Sequence, residues 1–293
     1  MSATEAPHDP RMTPARGDLA AASLRGVVEA ERYVEGETFT VAAEIADLKR
    51  APRHDAPLDT QLLFGETLSV YEEENGWAWV QAERDRYVGY VAMHMLVRGR
   101  RRATHRVTAN RTFVYPAPDM KQPVVGAIPL DGRVMVEETV GAFARTADHV
   151  YVFSAHLTPV ETTVPDYVAV AERLLGTPYL WGGKSSLGID CSGLVQLSAS
   201  LGGLSLPRDT DMQAKIGESV SIGQSLEGLA RGDLVFWPGH VGIMLDAATL
   251  LHANAHQMLV ASESLSVARN RIAATTGNEI VNARRIIAVA GGV

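Results

Sequence analysis

One cysteine in this chain has surroundings that could make it a nucleophile. Cys191 is the only cysteine among 293 residues, and an apolar pattern of helical spacing runs from Leu194 to Leu201 just after it. The pattern predicts a helix that begins near Cys191, with Asp190 as its N-cap. A thiol in the first turn of a helix lies at the positive end of the helix dipole, which favours the nucleophilic thiolate. The alternative is that Cys191 is a small buried hydrophobic residue.

Two histidines follow on short apolar runs that predict neighbouring strands. His240 opens the first run and His252 lies in the second. If a three-residue turn over 246–248 joins the strands, the histidines share one face of the sheet, whereas a turn of two or four residues would place them on opposite faces. On one face, the first imidazole could take the thiol proton and the second could fix its tautomer. Each histidine could instead be a hydrogen-bonded residue of the core.

Several short motifs surround these residues in order along the C-terminal part of the chain. They are Tyr179-Leu180-Trp181-Gly182-Gly183, Asp190-Cys191-Ser192-Gly193, Leu206-Pro207-Arg208-Asp209, Gly232-Asp233-Leu234-Val235-Phe236, His240-Val241-Gly242 and His252. Together they resemble the NlpC family of papain-like cysteine peptidases. The resemblance implies an enzyme that cleaves bacterial cell-wall peptides, typically between γ-D-glutamate and a diamino acid.

The resemblance also implies roles for particular residues. The catalytic set that it implies is Cys191, His240 and His252, with Tyr179 assisting at the oxyanion. The substrate-binding positions that it implies are Asp190, Ser192, Thr210, Arg208, Asp209 and Trp181. The first three of these would bind the free amine of an N-terminal L-alanine, since a buried carboxylate opposite an ammonium favours a free N-terminus. Thr210 stands where a serine is common, and Asp190 would have to share its oxygens between substrate and helix.

Two blocks of short apolar runs, separated by turn residues, precede the peptidase-like part. The first has five predicted strands between Val41 and Val91, and the second covers Val107 to Leu157. Both resemble bacterial Src-homology-3-like barrels, a likeness carried in the first block by Trp77 and by Tyr87-Val88-Gly89-Tyr90. The barrels could serve packing alone, or one could wall off a side of the active site and limit substrate length. The aromatic residues predicted for that wall are Tyr71, Trp77, Trp79 and Tyr87.

The predicted fold is therefore α+β, with a papain-like cysteine peptidase domain preceded by two small antiparallel β-barrels. The expected limits are an N-terminal arm at 1–37, barrels at 38–99 and 104–158, and the peptidase domain at 164–293. Within the arm, Leu19 to Tyr33 is predicted to be helical. A further helix is predicted from Pro165 to Leu175, with the proline at its first position.

Composition and charge narrow the partners and the compartment. The net charge is −7 and the sequence pI about 5.7, which argues against nucleic acid and anionic membranes as main partners. A single cysteine excludes an internal disulfide framework. Residues 1–20 lack the apolar core of a signal peptide, and no apolar run is long enough to span a bilayer. We therefore expect a cytoplasmic protein, unless a leader is missing or export is non-classical.

No cofactor or metal is predicted. Gly183-Lys184-Ser185 has the ending of a phosphate-binding loop, but Pro178 occupies a position where that loop needs a glycine. A zinc site of cysteine and histidine would lack a second cysteine and the usual short paired spacings. Nothing in the sequence indicates an oligomeric state.

The predicted function is hydrolysis of the γ-D-glutamyl–diamino acid bond of murein peptides. For a cytoplasmic enzyme, the substrates within reach are imported turnover fragments such as free L-Ala-γ-D-Glu-diamino acid. Three alternatives stay open: an exported enzyme that acts on intact peptidoglycan, a thiol acyltransferase on the same fold, and a wall-binding scaffold whose peptidase-like domain is inactive.

Overall fold

A computed structural model describes residues 8–223 and 226–286 of the 293-residue chain. The predicted α+β class is confirmed, because strands make up the N-terminal part and α-helices join them from Tyr167 onward. The predicted arm at 1–37 and peptidase domain at 164–293 both include residues that lie outside the described ranges. Within those ranges, no helix has the length and apolar character needed to cross a membrane.

The N-terminal segment folds as short extended pieces, so the helix predicted from Leu19 to Tyr33 is wrong. Its elements are strand β1 (Leu19–Ala21), a 3₁₀ turn (Ala22–Leu24) and strand β2 (Arg32–Val34), with β1 and β2 paired in parallel. All three residues of β1 are buried, which a helix with one apolar face would not achieve. Arg25 ends the 3₁₀ turn in an extended conformation, and Gly26 follows with a φ of +80°, so no longer helix continues there.

The first barrel contains seven strands, where the sequence predicts five. They are β3 (Glu37–Val41), β4 (Ile45–Lys49), β5 (Leu58–Leu63), β6 (Thr67–Glu74), β7 (Trp77–Ala82), β8 (Val88–Ala92) and β9 (Leu96–Arg98). The antiparallel sheet has the order β5-β4-β8-β7-β6-β3-β9. Asn75 and Gly76 both have positive φ and join β6 to β7 as a two-residue hairpin turn, as this residue pair predicts.

The second β-unit is smaller and forms two antiparallel sheets. Its strands are β10 (His105–Val107), β11 (Arg111–Tyr115), β12 (Gly126–Pro129), β13 (Arg133–Val134), β14 (Val136–Val140), β15 (Phe143–Thr146), β16 (Tyr151–Phe153) and β17 (Leu157–Pro159). One sheet has the order β13-β10-β17 and the other β12-β11-β16-β15-β14. The limits of the two barrels stay a prediction, although the strands of the two units fall close to them.

The C-terminal domain packs helices against a six-stranded antiparallel sheet. Its elements are α1 (Tyr167–Glu172), β18 (Lys184–Ser185), β19 (Gly188–Ile189), α2 (Cys191–Leu201), α3 (Thr210–Gln213), β20 (Glu218–Val220), β21 (Asp233–Trp237), β22 (His240–Met244), β23 (Thr249–Asn254), β24 (Leu259–Ser264), α4 (Leu265–Thr276) and β25 (Asn282–Arg285). The sheet order is β20-β25-β21-β22-β23-β24. Helix α2, which begins at Cys191, contacts both β22 and β23, the strands that carry His240 and His252.

Helix α1 is shorter at both ends than the helix predicted from Pro165 to Leu175. The side chain of Asp166 accepts a 2.9 Å hydrogen bond from the N–H of Val168 and caps the helix. The helix therefore begins after Asp166. Pro165 lies before the N-cap, whereas the sequence pattern predicts it in the first turn of the helix.

Buried ion pairs join the three units at one junction. Arg84 of the first barrel pairs with Glu66 of the same barrel and with Asp131 of the second unit. The Lys184 ammonium of the peptidase domain lies 3.3 Å from Glu66, and Ser200 of α2 donates a 2.8 Å hydrogen bond to Asp131. Removing one partner of such a pair would leave an uncompensated buried charge, so the network holds the units in a fixed relation.

Candidate active site

Cys191 is the first residue of α2, as its motif predicts, and it lines a pocket of about 270 Å³. The Asp190 side chain caps the helix by accepting a 2.7 Å hydrogen bond from the N–H of Gly193. A Cβ at position 193 would lie 2.4 Å from the carbonyl oxygen of Gly183, so the tight turn before the helix requires glycine there. Residue Cys191 is 6% exposed, and the backbone N–H groups of Val241 and Ser192 lie close enough to its sulfur to lower the pKa of the thiol. Strand β22 therefore passes directly beside the thiol.

The two histidines lie on one face of the sheet, which confirms the predicted register. Residues 243 and 251 are partners across the strand pair, and the N–H of Leu245 donates to the carbonyl of Thr249 at 2.8 Å, so a three-residue turn joins β22 to β23. His240 Nε2 lies 2.8 Å from His252 Nδ1. His240 is the residue before Val241, whose N–H lies close to the sulfur. The hydrogen bond with His252 therefore holds the His240 ring in place.

Glu263, which the sequence analysis did not identify, extends the chain of hydrogen bonds beyond His252. His252 Nε2 lies 2.9 Å from Glu263 Oε1 on β24, and Arg271 of α4 forms an ion pair with the same carboxylate. In the antiparallel pair β23–β24, Ala261 is the partner of His252, so Glu263 occupies the diagonal position on the same face. That diagonal could have been read from the sequence only if the turn between the strands were known.

The hydrogen bonds determine the tautomers of both rings. The Glu263 carboxylate is an acceptor, so His252 carries its proton on Nε2 and leaves Nδ1 free to accept. His240 must then donate from Nε2, which leaves its own Nδ1 without a proton. The chain from Glu263 to His240 therefore prepares one imidazole nitrogen to act as a base.

The protein itself occupies both oxygens of Asp190. Oδ1 accepts hydrogen bonds from the N–H of Gly193 and from Arg208, and Oδ2 accepts from the N–H of Gly182 at 2.9 Å and from Arg208 at 2.7 Å. The buried Arg208 guanidinium also donates to Ser192 Oγ at 2.8 Å. A substrate ammonium would therefore have to share the Asp190 carboxylate with this guanidinium, and the binding role expected of Asp190 stays a prediction.

The opposite side of the pocket comes from other parts of the chain. Tyr87 of the first barrel donates a 3.1 Å hydrogen bond to Asp209 Oδ2. The predicted residues Thr210 and Trp181 line the pocket, and the Trp181 side chain is 66% exposed at its mouth. Further lining residues that the sequence analysis did not identify are Arg11, Arg50, Asp59, Asp211 and Gly239.

The predicted aromatic wall is revised, because Tyr87 is its one member that lines this pocket. Trp77 and Trp79 line a separate pocket together with Tyr90, and Tyr71 packs against Trp79 with ring centroids 5.7 Å apart. Residues 77 and 79 alternate along β7 and so share one face of the strand. Neither tryptophan lines the pocket that holds Cys191.

Two family models match the chain. Residues 48–96 match the bacterial dipeptidyl-peptidase Sh3 domain, and residues 176–275 match the NlpC/P60 family. Residues 176–275 thus carry an NlpC/P60 domain. The resemblance noted in the sequence is confirmed for the peptidase domain and for the first barrel, and the protein is a cysteine peptidase.

Relatives of this NlpC/P60 peptidase extend the similarity beyond the two domains. Dipeptidyl-peptidase 6 of Lysinibacillus sphaericus is 29% identical over 240 residues, which cover 73% of this chain and 86% of the relative. The gamma-D-glutamyl-L-lysine dipeptidyl-peptidase of Bacillus subtilis (strain 168) is also 29% identical, over 68% of this chain and 73% of the relative. A crystal structure of an NlpC/P60 family protein from Bacillus cereus shares the fold, with a TM-score of 0.72 and 20% identity over 86% of this chain and all of that one.

Burial keeps the thiol and both imidazoles of this NlpC/P60 peptidase neutral. Burial, followed by the nearby Asp190, raises the pKa of Cys191 to about 12, against the opposing N–H groups at the sulfur. Burial lowers the pKa of His240 to about 3, with His252 adding to the effect, and lowers the pKa of His252 to about 4. Burial therefore opposes the thiolate that the helix dipole favours.

The arrangement can support attack by a thiol that loses its proton as it reacts. A neutral imidazole with a free nitrogen is a base, whereas an imidazolium is not. The N–H of Cys191 is one of the first N–H groups of a helix, which have no partner within the helix. Burial raises the pKa of Tyr179, with Cys191 and Asp190 adding to the rise, so its hydroxyl keeps its proton and can donate. These two groups can donate hydrogen bonds to a negatively charged oxygen.

Proposed function

We propose that the protein is a cysteine endopeptidase that hydrolyses the γ-D-glutamyl–diamino acid bond of murein peptides. The observation that carries the proposal is the 2.8 Å contact between the rings of His240 and His252. His240 lies on β22, the strand that passes beside Cys191, and His252 lies on the neighbouring strand β23. The bond type is supported by the similarity to the gamma-D-glutamyl-L-lysine dipeptidyl-peptidase of Bacillus subtilis. The broader activity is hydrolysis of peptidoglycan peptides. The proposal adds which bond is cleaved and which end of the peptide the enzyme recognises.

In the proposed mechanism, His240 takes the proton of Cys191 while the sulfur attacks the carbonyl carbon of the scissile amide. His252 and Glu263 hold the imidazole in the tautomer that this step requires. The N–H of Cys191 and the Tyr179 hydroxyl donate to the oxyanion of the tetrahedral intermediate.

The second half of the mechanism returns the enzyme to its starting form. The protonated His240 gives its proton to the leaving amine as the carbon–nitrogen bond breaks, which leaves a thioester on the sulfur. Water then attacks the thioester with His240 as the base, the free carboxylate leaves, and the thiol regains its proton. One water is consumed in each turnover, and no oxidation state changes in these steps.

We further propose that the substrates are free fragments of the type L-Ala-γ-D-Glu-diamino acid, with Asp209 receiving the alanine ammonium. Tyr87 and Arg11 both donate to Asp209 Oδ2, whereas within the described part of the chain no hydrogen bond reaches Oδ1. Burial raises the pKa of Asp209 and the neighbouring Arg208 opposes the rise. A partly buried carboxylate with one free oxygen suits an ammonium and disfavours the uncharged amide of a glycan-linked peptide.

Mass spectrometry of peptide digests tests the proposal. We expect cleavage of L-Ala-γ-D-Glu-L-Lys or its diaminopimelate counterpart between the second and third residues. Acetylation of the alanine amine should lower kcat/KM by about 10²-fold, since loss of a desolvated charge pair costs several kcal/mol. Equal rates on the acetylated peptide would remove Asp209 as the amine acceptor, and release of peptides from intact peptidoglycan at the fragment rate would favour the wall-acting alternative.

A further inference from the structure

Arg11, in the segment before the first barrel, reaches the edge of the pocket that holds Cys191. Its guanidinium has five N–H donors, and carboxylates accept all five. The contacts are Nε to Asp9 Oδ1 at 3.0 Å, Nη2 to Asp9 Oδ2 at 2.7 Å, Nη1 to Asp209 Oδ2 at 2.7 Å, Nη1 to Asp211 Oδ1 at 2.9 Å, and Nη2 to Asp211 Oδ2 at 2.8 Å. Two of the three carboxylates are therefore held in bidentate fashion, which fixes the position as well as the charge of the guanidinium.

The backbone around Arg11 is attached to the first barrel. The N–H of Val88 donates to the carbonyl of Arg11 at 2.8 Å, and the Gln81 side chain donates to the carbonyl of Met12 at 2.7 Å. The Met12 side chain packs against the core of the barrel. Residue 11 thus has its backbone on the barrel and its guanidinium on α3 of the peptidase domain, and it spans the edge of the pocket between them.

We propose that Arg11 is a specificity-determining residue that closes the amine end of the pocket, an inference that rests on the proposed function. Asp209, the proposed ammonium acceptor, shares its Oδ2 between Arg11 and Tyr87, so the guanidinium lies directly beyond the place where the substrate chain begins. A substrate whose chain continued past that ammonium would meet Arg11. The pocket of about 270 Å³ lies just below the usual range of roughly 300–1,000 Å³ for ligand sites, so it suits a small substrate.

The closing role is tested with Arg11→Ala and two substrates. One is L-Ala-γ-D-Glu-L-Lys, and the other carries one additional glycine on the alanine amine. For the unaltered protein we expect a strong preference for the free-amine peptide. In Arg11→Ala the ratio of the two kcat/KM values should fall at least about 10-fold, because the barrier to chain extension is gone. Arg11→Lys keeps the charge without the bidentate contacts and should give an intermediate ratio.

Arg32→Ala is the matched control, since it removes another arginine of the same N-terminal segment. Arg32 pairs with Glu72, away from the pocket that holds Cys191, so its loss should leave the ratio unchanged. A purely structural tether would lower both kcat/KM values of Arg11→Ala by the same factor and leave their ratio unchanged, which would overturn the inference. If Arg11→Ala does not fold, Asp211→Asn removes one bidentate contact and should shift the ratio in the same direction.

A second readout separates this inference from the proposed function. Cys191 is the sole thiol, so alkylation reports on access to its pocket. Arg11→Ala should raise the rate with a bulky pyrenyl maleimide relative to that with iodoacetamide by about 5-fold or more, at a fixed pH that keeps the thiolate fraction constant. If neither peptide is cleaved but this shift occurs, the proposed function fails and the closing role of Arg11 stands. An unshifted rate ratio in folded Arg11→Ala would overturn the closing role.

Discussion

The two sides of the pocket are built in different ways. On the catalytic side, Cys191, His240, His252 and Glu263 all come from the peptidase domain, and neighbouring elements of one core hold them through short hydrogen bonds. On the selecting side, Tyr87, Asp209 and Arg11 come from the barrel, from the residue before α3 and from the N-terminal segment, and ion pairs hold them together. The chemistry therefore depends on local strand register, and selection depends on how separate parts of the chain assemble.

The largest expected effect is the loss of kcat when the nucleophile on the catalytic side is removed. Cys191→Ala should lower kcat to the assay floor, on the order of 10⁶-fold, because Cys191 is the only thiol of the chain. The selecting side should remain intact, so calorimetry should still detect binding of L-Ala-γ-D-Glu-L-Lys, with an unchanged circular dichroism spectrum as the control for folding. Retained turnover would disprove the thiol mechanism.

The buried ion pairs that join the three units should show the next largest effect, which is a loss in the free energy of unfolding. Burial by itself raises the pKa of Asp131, but Arg84, Ser200 and Arg133 together outweigh it, and the net pKa lies below its usual range. Asp131→Asn should therefore lower the free energy of unfolding by about 3–5 kcal/mol at neutral pH, measured by urea denaturation. Since a lowered pKa contributes stability only above it, the difference should shrink as the pH falls through the folded-state pKa.

Asp148→Asn provides the control for this measurement. Asp148 pairs with Arg101 at the surface, where both side chains are 45% exposed. Loss of such a pair should cost about 1 kcal/mol or less. Equal losses in the two variants would mean that the buried network does not join the units.

Glu263→Gln tests whether the catalytic side extends beyond His252. The amide can donate to His252 Nε2, which would reverse the tautomers along the chain to His240. We expect kcat to fall about 10²-fold with little change in KM, since a misplaced proton disables the base without altering the selecting side. The exposed Glu279→Gln should behave like the unaltered protein. A change confined to KM would mean that Glu263 acts in substrate selection and not in catalysis.

Tyr87→Phe is the counterpart on the selecting side. It removes the hydroxyl that donates to Asp209 and leaves the catalytic chain untouched. KM for the free-amine peptide should rise about 10-fold with kcat nearly constant, because one hydrogen bond to a charged group contributes 1.5–3 kcal/mol. Tyr90→Phe, which alters the neighbouring pocket lined by Trp77 and Trp79, is the control. A loss in kcat alone would show that the two sides are not separable.

The smallest effect concerns the resting charge of the thiol. Because burial raises the pKa of Cys191 to about 12, its thiolate fraction near neutral pH should lie below that of a free cysteine, whose pKa is about 8.5. The rate of alkylation by iodoacetamide should therefore keep rising through pH 9 without a plateau. A plateau below pH 8 would indicate a preformed thiolate and would restore the role expected of the helix dipole.

The catalytic side was more predictable from sequence than the selecting side. The position of Cys191 at the start of α2 follows from the apolar pattern and the Asp190 cap, and the common face of His240 and His252 follows from the strand period of two residues. Glu263 escaped prediction because its diagonal position depends on the register of a further strand. The helix expected over residues 19–33 failed because Leu19, Ala20 and Ala21 form a fully buried strand that pairs with β2, a contact that spacing alone does not reveal.

The sequence by itself determined which domain carries the nucleophile, where its helix begins and which histidines can face it, because capping, apolar periodicity and short turns act between residues close in the chain. Only the tertiary structure decided that Asp190 is already paired, that Tyr87 reaches the pocket while Trp77 does not, and that Arg11 lies at its edge. It also decided the charge of the thiol, because desolvation depends on everything packed around the sulfur. Interactions across long separations in sequence follow from the packing of whole domains, and no local pattern encodes them.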